Sequence, residues 1–145
     1  DKDETMWISR AVFDEILNNM PIIPPEAGGI IGGKEDKVIL WEYDEGHKKR
    51  GCMYRPNVNH LNKVIASWCE KGYEFMGLVH VHFGGSRSLS EGDKRYIDRI
   101  MKAMPFYVEK LYFPLVVQPE KEMVVFQAIR NDKTVIIKQD NILIK

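Results

Sequence analysis

EFMGLVHVHFGGSRSLSEGD, residues 74–93, is the stretch on which the fold turns. Its first ten residues are apolar on both alternating faces, which marks a central strand covered by helices on both sides. That strand ends in two histidines one residue apart. Residues two apart on a strand share a face, with Cα atoms about 6.6–6.8 Å from each other. His80 and His82 therefore project together, while Val79 and Val81 turn into packing. A Gly-rich segment, FGGSRSL (83–89), leads to a helix predicted over residues 89–104 and stopped by Pro105. Ser88, with Glu91 three residues on, reads as the capping box that starts it. Steps of about 100° put Ser90, Asp93, Ile97, Ile100, Met101 and Met104 on one stripe. Glu91, Arg95, Asp98, Arg99 and Lys102 fall on the other side. Ser90 and Asp93 thus begin a core-facing stripe, where polar side chains need partners.

Outward from this stretch the chain reads as α-β-β-β-α-β-α-β-β-β, an α/β domain with a mixed sheet between helices. Ser9 caps a first helix with Val12, Phe13, Ile16, Leu17 and Met20 at helical spacing, ended by Pro21. AGGIIGG (27–33) and KVILWEY (37–43) are short strands joined by a turn around residues 34–36. GHKKRGCMYRPN (46–57) reads as a loop leading into or out of a third strand. A second helix covers residues 57–71, with Leu61, Val64, Ile65, Trp68 and Cys69 inward and Gly72 as its stop. LYFPLVVQ (111–118), EMVVFQAI (122–129) and TVIIK (134–138) are β-rich runs separated by QPEK and NDK turns.

Composition narrows the function classes. With 145 residues, 44% of them hydrophobic and 29% charged, the chain is sized for one domain over 1–145. Lys plus Arg and Asp plus Glu are 21 each, so no global field favours nucleic acid or an anionic membrane. No apolar run is long enough to span a bilayer, and no secretory pattern opens the sequence. Cys52 and Cys69 lack CxxC spacing, which suits a reducing cytoplasm and small-hydrophobe packing. His47, Lys48, Lys49 and Arg50 form the basic cluster, by default a solvated loop. AGGIIGG lacks the GxGxxG nucleotide-binding spacing because position 30 is Ile, so its glycines serve close backbone packing. His60, on a helix without ligand spacing, is structural or exposed.

Two neutral imidazoles and one carboxylate, His80, His82 and Asp93, make a three-ligand set with an open position, the arrangement of catalytic zinc. A hydrolytic zinc site also needs a base, and Glu26, at the edge of the Gly-rich strand, is the best upstream carboxylate. Taken singly, each part has a plainer explanation: a backbone-satisfied His pair, a helix N-terminus signature, a surface carboxylate. Their joint occurrence favours the metal. Iron sites of two His and one carboxylate commonly read HxD with a distant His. Zinc deaminases need a PCxxC element that is absent here.

The series Glu26, His80-x-His82, seven residues, Ser90-x-x-Asp93 resembles the JAMM motif of the JAB/MPN metalloproteases, and the element order resembles that family across nearly the whole chain. The resemblance implies an MPN/JAB-type, cytidine-deaminase-like α/β fold. It implies that His80, His82 and Asp93 hold one Zn2+ with a bound water, that Glu26 is general acid/base, and that Ser90 stabilises the oxyanion. It further implies a zinc isopeptidase or peptidase cutting after the C-terminal glycine of ubiquitin or a ubiquitin-like protein, whose Gly-Gly tail threads as an extra strand beside a sheet edge. The chain lacks room for long insertions and looks like the compact prokaryotic branch. Members of that branch act on ubiquitin-like or sulfur-carrier proteins, some beside ubiquitin-activating-like and ubiquitin-conjugating-like enzymes in antiviral systems. The family usually has Ser or Thr at the position of Val81 and Pro at that of Phe83. Val81 leaves metal binding intact, whereas Phe83 alters the exit of the strand and what packs beside the scissile bond. The competing expectation is a non-catalytic scaffold of the same fold.

Overall fold

The first element is a strand that hydrophobic spacing hides. In the structure, a computed structural model describing residues 4–46 and 54–145, TMWI forms β1 (Thr5–Ile8) ahead of α1 (Arg10–Asn19). There follow β2 (Gly28–Lys34), β3 (Lys37–Asp44), α2 (Val58–Glu70), β4 (Glu74–His82), α3 (Glu91–Ala103), β5 (Lys110–Val117), β6 (Glu122–Asn131) and β7 (Thr134–Ile144). No strand is found between β3 and α2 among the described residues, and most of the loop expected there, with the basic cluster and Cys52, lies outside them.

The sheet is mixed, as expected, and it closes into a barrel in the order β1-β3-β2-β4-β5-β6-β7 rather than lying open. β1 effects the closure. It runs parallel to β7 over all four of its residues, and meets β3 only through Trp7 with Lys37 and Ile8 with Val38. Closure shortens the sheet edges, and the unpaired edges left for strand addition among the described residues include β3 beyond Val38 and the first half of β7, which pairs with β6 alone. β7 extends to Ile144, past the expected end at residue 138, because its second half pairs with β1.

Helices do cover both faces. Val12 and Ile16 of α1, with its C-cap Met20, join Met6, Val79, Val81, Val116 and Val125 in one core. Leu61 and Trp68 of α2 and Ile97 and Met101 of α3 join Ile30, Leu78, Leu115 and Val117 in the other. Cys69, expected inward, is exposed: on α2 it lies one position past Trp68, beyond the edge of the buried stripe. Two local devices set the register. Glu35 and Asp36, both with positive φ, make a two-residue hairpin between β2 and β3. In β4, Met76 is an extra residue between the pairs Gly32–Phe75 and Ile31–Gly77, a bulge that sends Met76 into the α1-side core. Beyond it Leu78 and His80 face α2 and α3, while Val79 and Val81 face α1.

The link from β4 to α3 turns on Gly84 and Gly85, both at φ +78, where L side chains are strained. The turn is fastened by Gln118 N–H donating to His82 O (2.9 Å) and Gly85 N–H donating to Gln118 O (3.1 Å). Phe83 packs against the α1-side core, so it stands on the face of the sheet away from the histidines.

Candidate metal centre

α3 starts two residues later than the Ser88–Glu91 pairing predicts. Ser90 is the N-cap: its Oγ accepts from Asp93 N–H (3.0 Å), and Asp93 Oδ2 accepts from Ser90 N–H (2.9 Å). Both serine-acid pairs satisfy the local pattern. Only Asp93 has a further use, because the same Oδ2 lies 3.0 Å from His82 Nε2, and Oδ1 lies 3.6 Å from His80 Nε2. The helix start is therefore fixed by a carboxylate shared between a cap and two imidazoles.

The imidazoles stand edge to face, with ring centroids 5.0 Å apart at 81°. Ligand atoms of His80, His82 and Asp93 all lie within 4.8 Å of one another. Tetrahedral zinc with ligands at about 2.0–2.2 Å spaces its donor atoms roughly 3.3–3.6 Å apart, so the two imidazole–carboxylate separations, 3.0 and 3.6 Å, need to change by only a few tenths of an ångström or not at all. His80 Nε2 is buried without a hydrogen-bond partner, which is the orphaned donor atom that a cation satisfies. Two imidazoles and one carboxylate also have the chemistry of a zinc site with an open position. The set fits the ion.

Electrostatics agree with the geometry. The bond to Asp93 raises the His82 imidazole above its ordinary value, against the opposing effect of burial. Burial works against the charged form of Asp93, and the imidazoles with the Ser90 N–H overcome it. They hold its carboxyl well below the usual carboxylate range. The carboxylate is thus kept ionised and available as a ligand.

A cleft of about 520 Å³ lies against this cluster, on the face of the sheet that carries α2 and α3, and Glu26, His80 and Asp93 all line it. Glu26 comes from the approach to β2, where Gly28 lies opposite His80. A Cβ on Gly28 would collide with the Tyr54 ring and with Val79 O, so the missing side chain lets the Tyr54 ring lie against the backbone beside His80. Tyr54 then orients Glu26, its N–H donating to Glu26 Oε1 (3.1 Å). The Tyr54 hydroxyl donates to Asp44 Oδ2 (2.7 Å), which also accepts from Asn57 N–H (2.9 Å). Burial and that bond push the Tyr54 phenol far up, and burial pushes Tyr96, across the cleft, up to about 12. Both phenols stay protonated as donors.

The structure so gathers His80, His82 and Asp93, sets Glu26 in the same cleft, and ties Ser90 to Asp93 through the cap. Sequence reasoning missed Tyr54 and Asp44, which hold Glu26 in place. Asp44 is buried at the end of an amphipathic strand, and only its contacts with the distant segment 54–57 reveal its role. His60 matches expectation, exposed and 3.2 Å from Glu42.

No protein-family model matches the chain, and no curated protein matches it in sequence. Solved structures do. The chain is similar to the solution structure of protein DSY2949 from Desulfitobacterium hafniense, with a TM-score of 0.65 and 17% identity over 97% of this chain and 92% of the other. It is also similar to the crystal structure of AF2198, a JAB1/MPN domain protein from Archaeoglobus fulgidus, with a TM-score of 0.55 and 17% identity over 96% of this chain and 98% of that one. The fold is MPN/JAB-like, and it carries a His-His-Asp cluster able to hold a metal ion. No helix among the described residues is long and apolar enough to cross a membrane.

Proposed function

We propose that this chain is a zinc-dependent isopeptidase or peptidase that hydrolyses the amide bond after the C-terminal glycine of a ubiquitin-like protein. One observation carries the reading: a three-ligand cluster with a buried, orphaned imidazole nitrogen opens onto the cleft that also holds a tethered carboxylate, Glu26. The ubiquitin-like substrate class draws on the resemblance of the five-residue motif alone.

A zinc ion at the cluster supplies Lewis acidity and makes water ionise near neutral pH. The residues of the chain do the rest. Glu26 takes the proton of the attacking water and delivers it to the leaving amine. Its Oε1 is held by Tyr54 N–H, which fixes the carboxylate toward the cleft while the other oxygen stays free for the proton. The Ser90 Oγ spends an acceptor site on the cap, so its own hydrogen is free to donate to the oxyanion. The protonated phenol of Tyr96 adds a donor along the path of an extended chain, while that of Tyr54 is spent on Asp44.

A scaffold reading has one point in its favour, since the capping box accounts for Ser90 and Asp93 with no metal. The orphaned His80 Nε2 and the aimed Glu26 are left over in that reading. The test is cleavage of a Gly-Gly-linked ubiquitin-like fusion by the zinc-loaded chain against Glu26→Gln. The variant is expected to retain zinc by elemental analysis and lose cleavage. Undiminished cleavage by Glu26→Gln refutes the mechanism, and no cleavage by the unaltered zinc-loaded chain favours the scaffold.

A further inference from the structure

The charges around the cleft say what kind of segment it takes. The acids lining it are Glu26, held by Tyr54, and Asp93, held by the histidines. Its cations are Arg55 on the wall that carries Tyr54, and Arg95 and Arg99, one helical turn apart on α3. Elsewhere among the described residues the arginines are engaged. Arg10 pairs with Asp14, Arg87 with Glu122, and Arg130 with main-chain carbonyls. Arg55, Arg95 and Arg99 hold neither an ion pair nor a hydrogen bond with any described residue.

The freedom of Arg95 and Arg99 is set by their neighbours on α3. Glu91 pairs with Lys94 at 3.5 Å, Asp98 with Lys102 at 2.9 Å, and Asp93 with the histidines, so the acids of the helix are taken by other partners than its arginines. The arginines are left facing solvent at the rim, above an apolar floor of Leu78, Ile97 and Phe113. A guanidinium presents a rigid fork that matches a carboxylate two bonds at a time, whereas an ammonium is a point charge. The helix thus leaves unpaired the side chains best suited to carboxylate.

We infer that the cleft selects a polypeptide segment carrying acidic side chains next to apolar ones, gripped by Arg55 from one wall and Arg95 and Arg99 from the other. The inference rests on the peptidase reading for the direction of the segment toward the metal cluster, and the charge selection follows from the rim alone. The apolar floor and the balanced charge of 21 basic and 21 acidic residues favour a peptide over a nucleic acid.

The experiment uses the full chain bearing Glu26→Gln, with zinc added, and three fluorescein-labelled peptides of equal length. Each has Leu-Gly-Gly at its centre, flanked by Glu, by Gln or by Lys, and binding is read by anisotropy. The Glu peptide is expected to bind roughly tenfold or more tighter than the Lys peptide, on the scale of charge-assisted hydrogen bonds. Arg95→Gln combined with Arg99→Gln is expected to shrink that ratio to about twofold, the residue of screened surface charge. Arg55→Gln, on the opposite wall, gives a separate and partial loss. Equal or tighter binding of the Lys peptide, an unchanged ratio in the double variant, no binding of any peptide, or tighter binding of a single-stranded DNA oligomer overturns the inference. Charge selection with no cleavage by the unaltered chain refutes the peptidase reading alone. Cleavage indifferent to flanking charge refutes the acidic segment alone.

Discussion

The two ends of α3 solve the same problem in opposite ways. Each end of a helix leaves backbone groups without intrahelical partners. At the C-terminal end the carbonyls go to one long cation. Arg130 of β6 donates through Nη2 to Met101 O (2.8 Å), Met104 O (3.3 Å) and Pro105 O (3.3 Å), and through Nε to Val108 O (3.1 Å). Each of these bonds ends on main chain. At the N-terminal end Ser90 and Asp93 satisfy each other's amides, and the carboxylate still reaches both imidazoles. An acid at a helix start and a cation at its end each suit the helix dipole, so both ends are stable. A structural end consumes its polar groups, and a functional end keeps one to spend.

Removing Asp93 breaks the comparison hardest. Asp93→Ala is expected to abolish zinc binding and cleavage together, while costing about 1 kcal/mol of stability in the metal-free chain through the lost cap partner. Elemental analysis and chemical denaturation in chelator separate the two effects. A variant that keeps one zinc per chain shows that the carboxylate serves the helix alone.

Ser90→Ala comes next. The cap is lost at a similar cost of about 1 kcal/mol, and cleavage is expected to fall by roughly 10²–10³ with zinc retained, as for other oxyanion-hole donors. Turnover unchanged at matched zinc content restricts Ser90 to capping, and makes this end as purely structural as the other.

The same comparison explains what the sequence could reveal. β4 and α3 are legible because alternation and helical spacing are local, and His80, His82, Ser90 and Asp93 follow from short intervals, with Glu26 added from a distant strand edge. The exact cap of α3 is not, since Ser88–Glu91 and Ser90–Asp93 both fit the pattern and His82 decides between them from another element. β1 is four residues long and owes its pairing to β7, more than a hundred residues away, so neither the strand nor barrel closure leaves a local trace. Arg95 and Arg99 fall on the solvent side of the helical projection and are indeed exposed. They become a rim only because residues 54–56 build the opposite wall. Arg130 carries no signal at all.

Arg130→Ala tests the structural end. Its hydrogen bonds are charge-assisted, and removing the guanidinium leaves several carbonyls short of donors, for an expected loss of roughly 2–3 kcal/mol. Because α3 carries Asp93, zinc affinity is expected to weaken in step, through position and not through ligation. Denaturation midpoints and zinc titration of Arg130→Ala check both. Full stability, or lost stability with unchanged zinc affinity, shows that the two ends of the helix are uncoupled.

The smallest expected effect is the sharpest on the register of the functional end. Ser88 and Glu91 lie in the same Ser-x-x-acid spacing as Ser90 and Asp93, yet Ser88 is exposed and Glu91 pairs with Lys94 at the surface. If the helix begins where Asp93 meets His82, Ser88→Ala removes no cap, and stability stays within about 0.5 kcal/mol of the original, as for surface changes generally. Zinc content and cleavage stay unchanged as well. A loss near the 1 kcal/mol of a true cap moves the start of α3 back by two residues. Asp93 keeps its place on the stripe with Ile97 and Met101 in either case, so the pair Ser88→Ala and Ser90→Ala decides which serine caps the helix that carries the ligand.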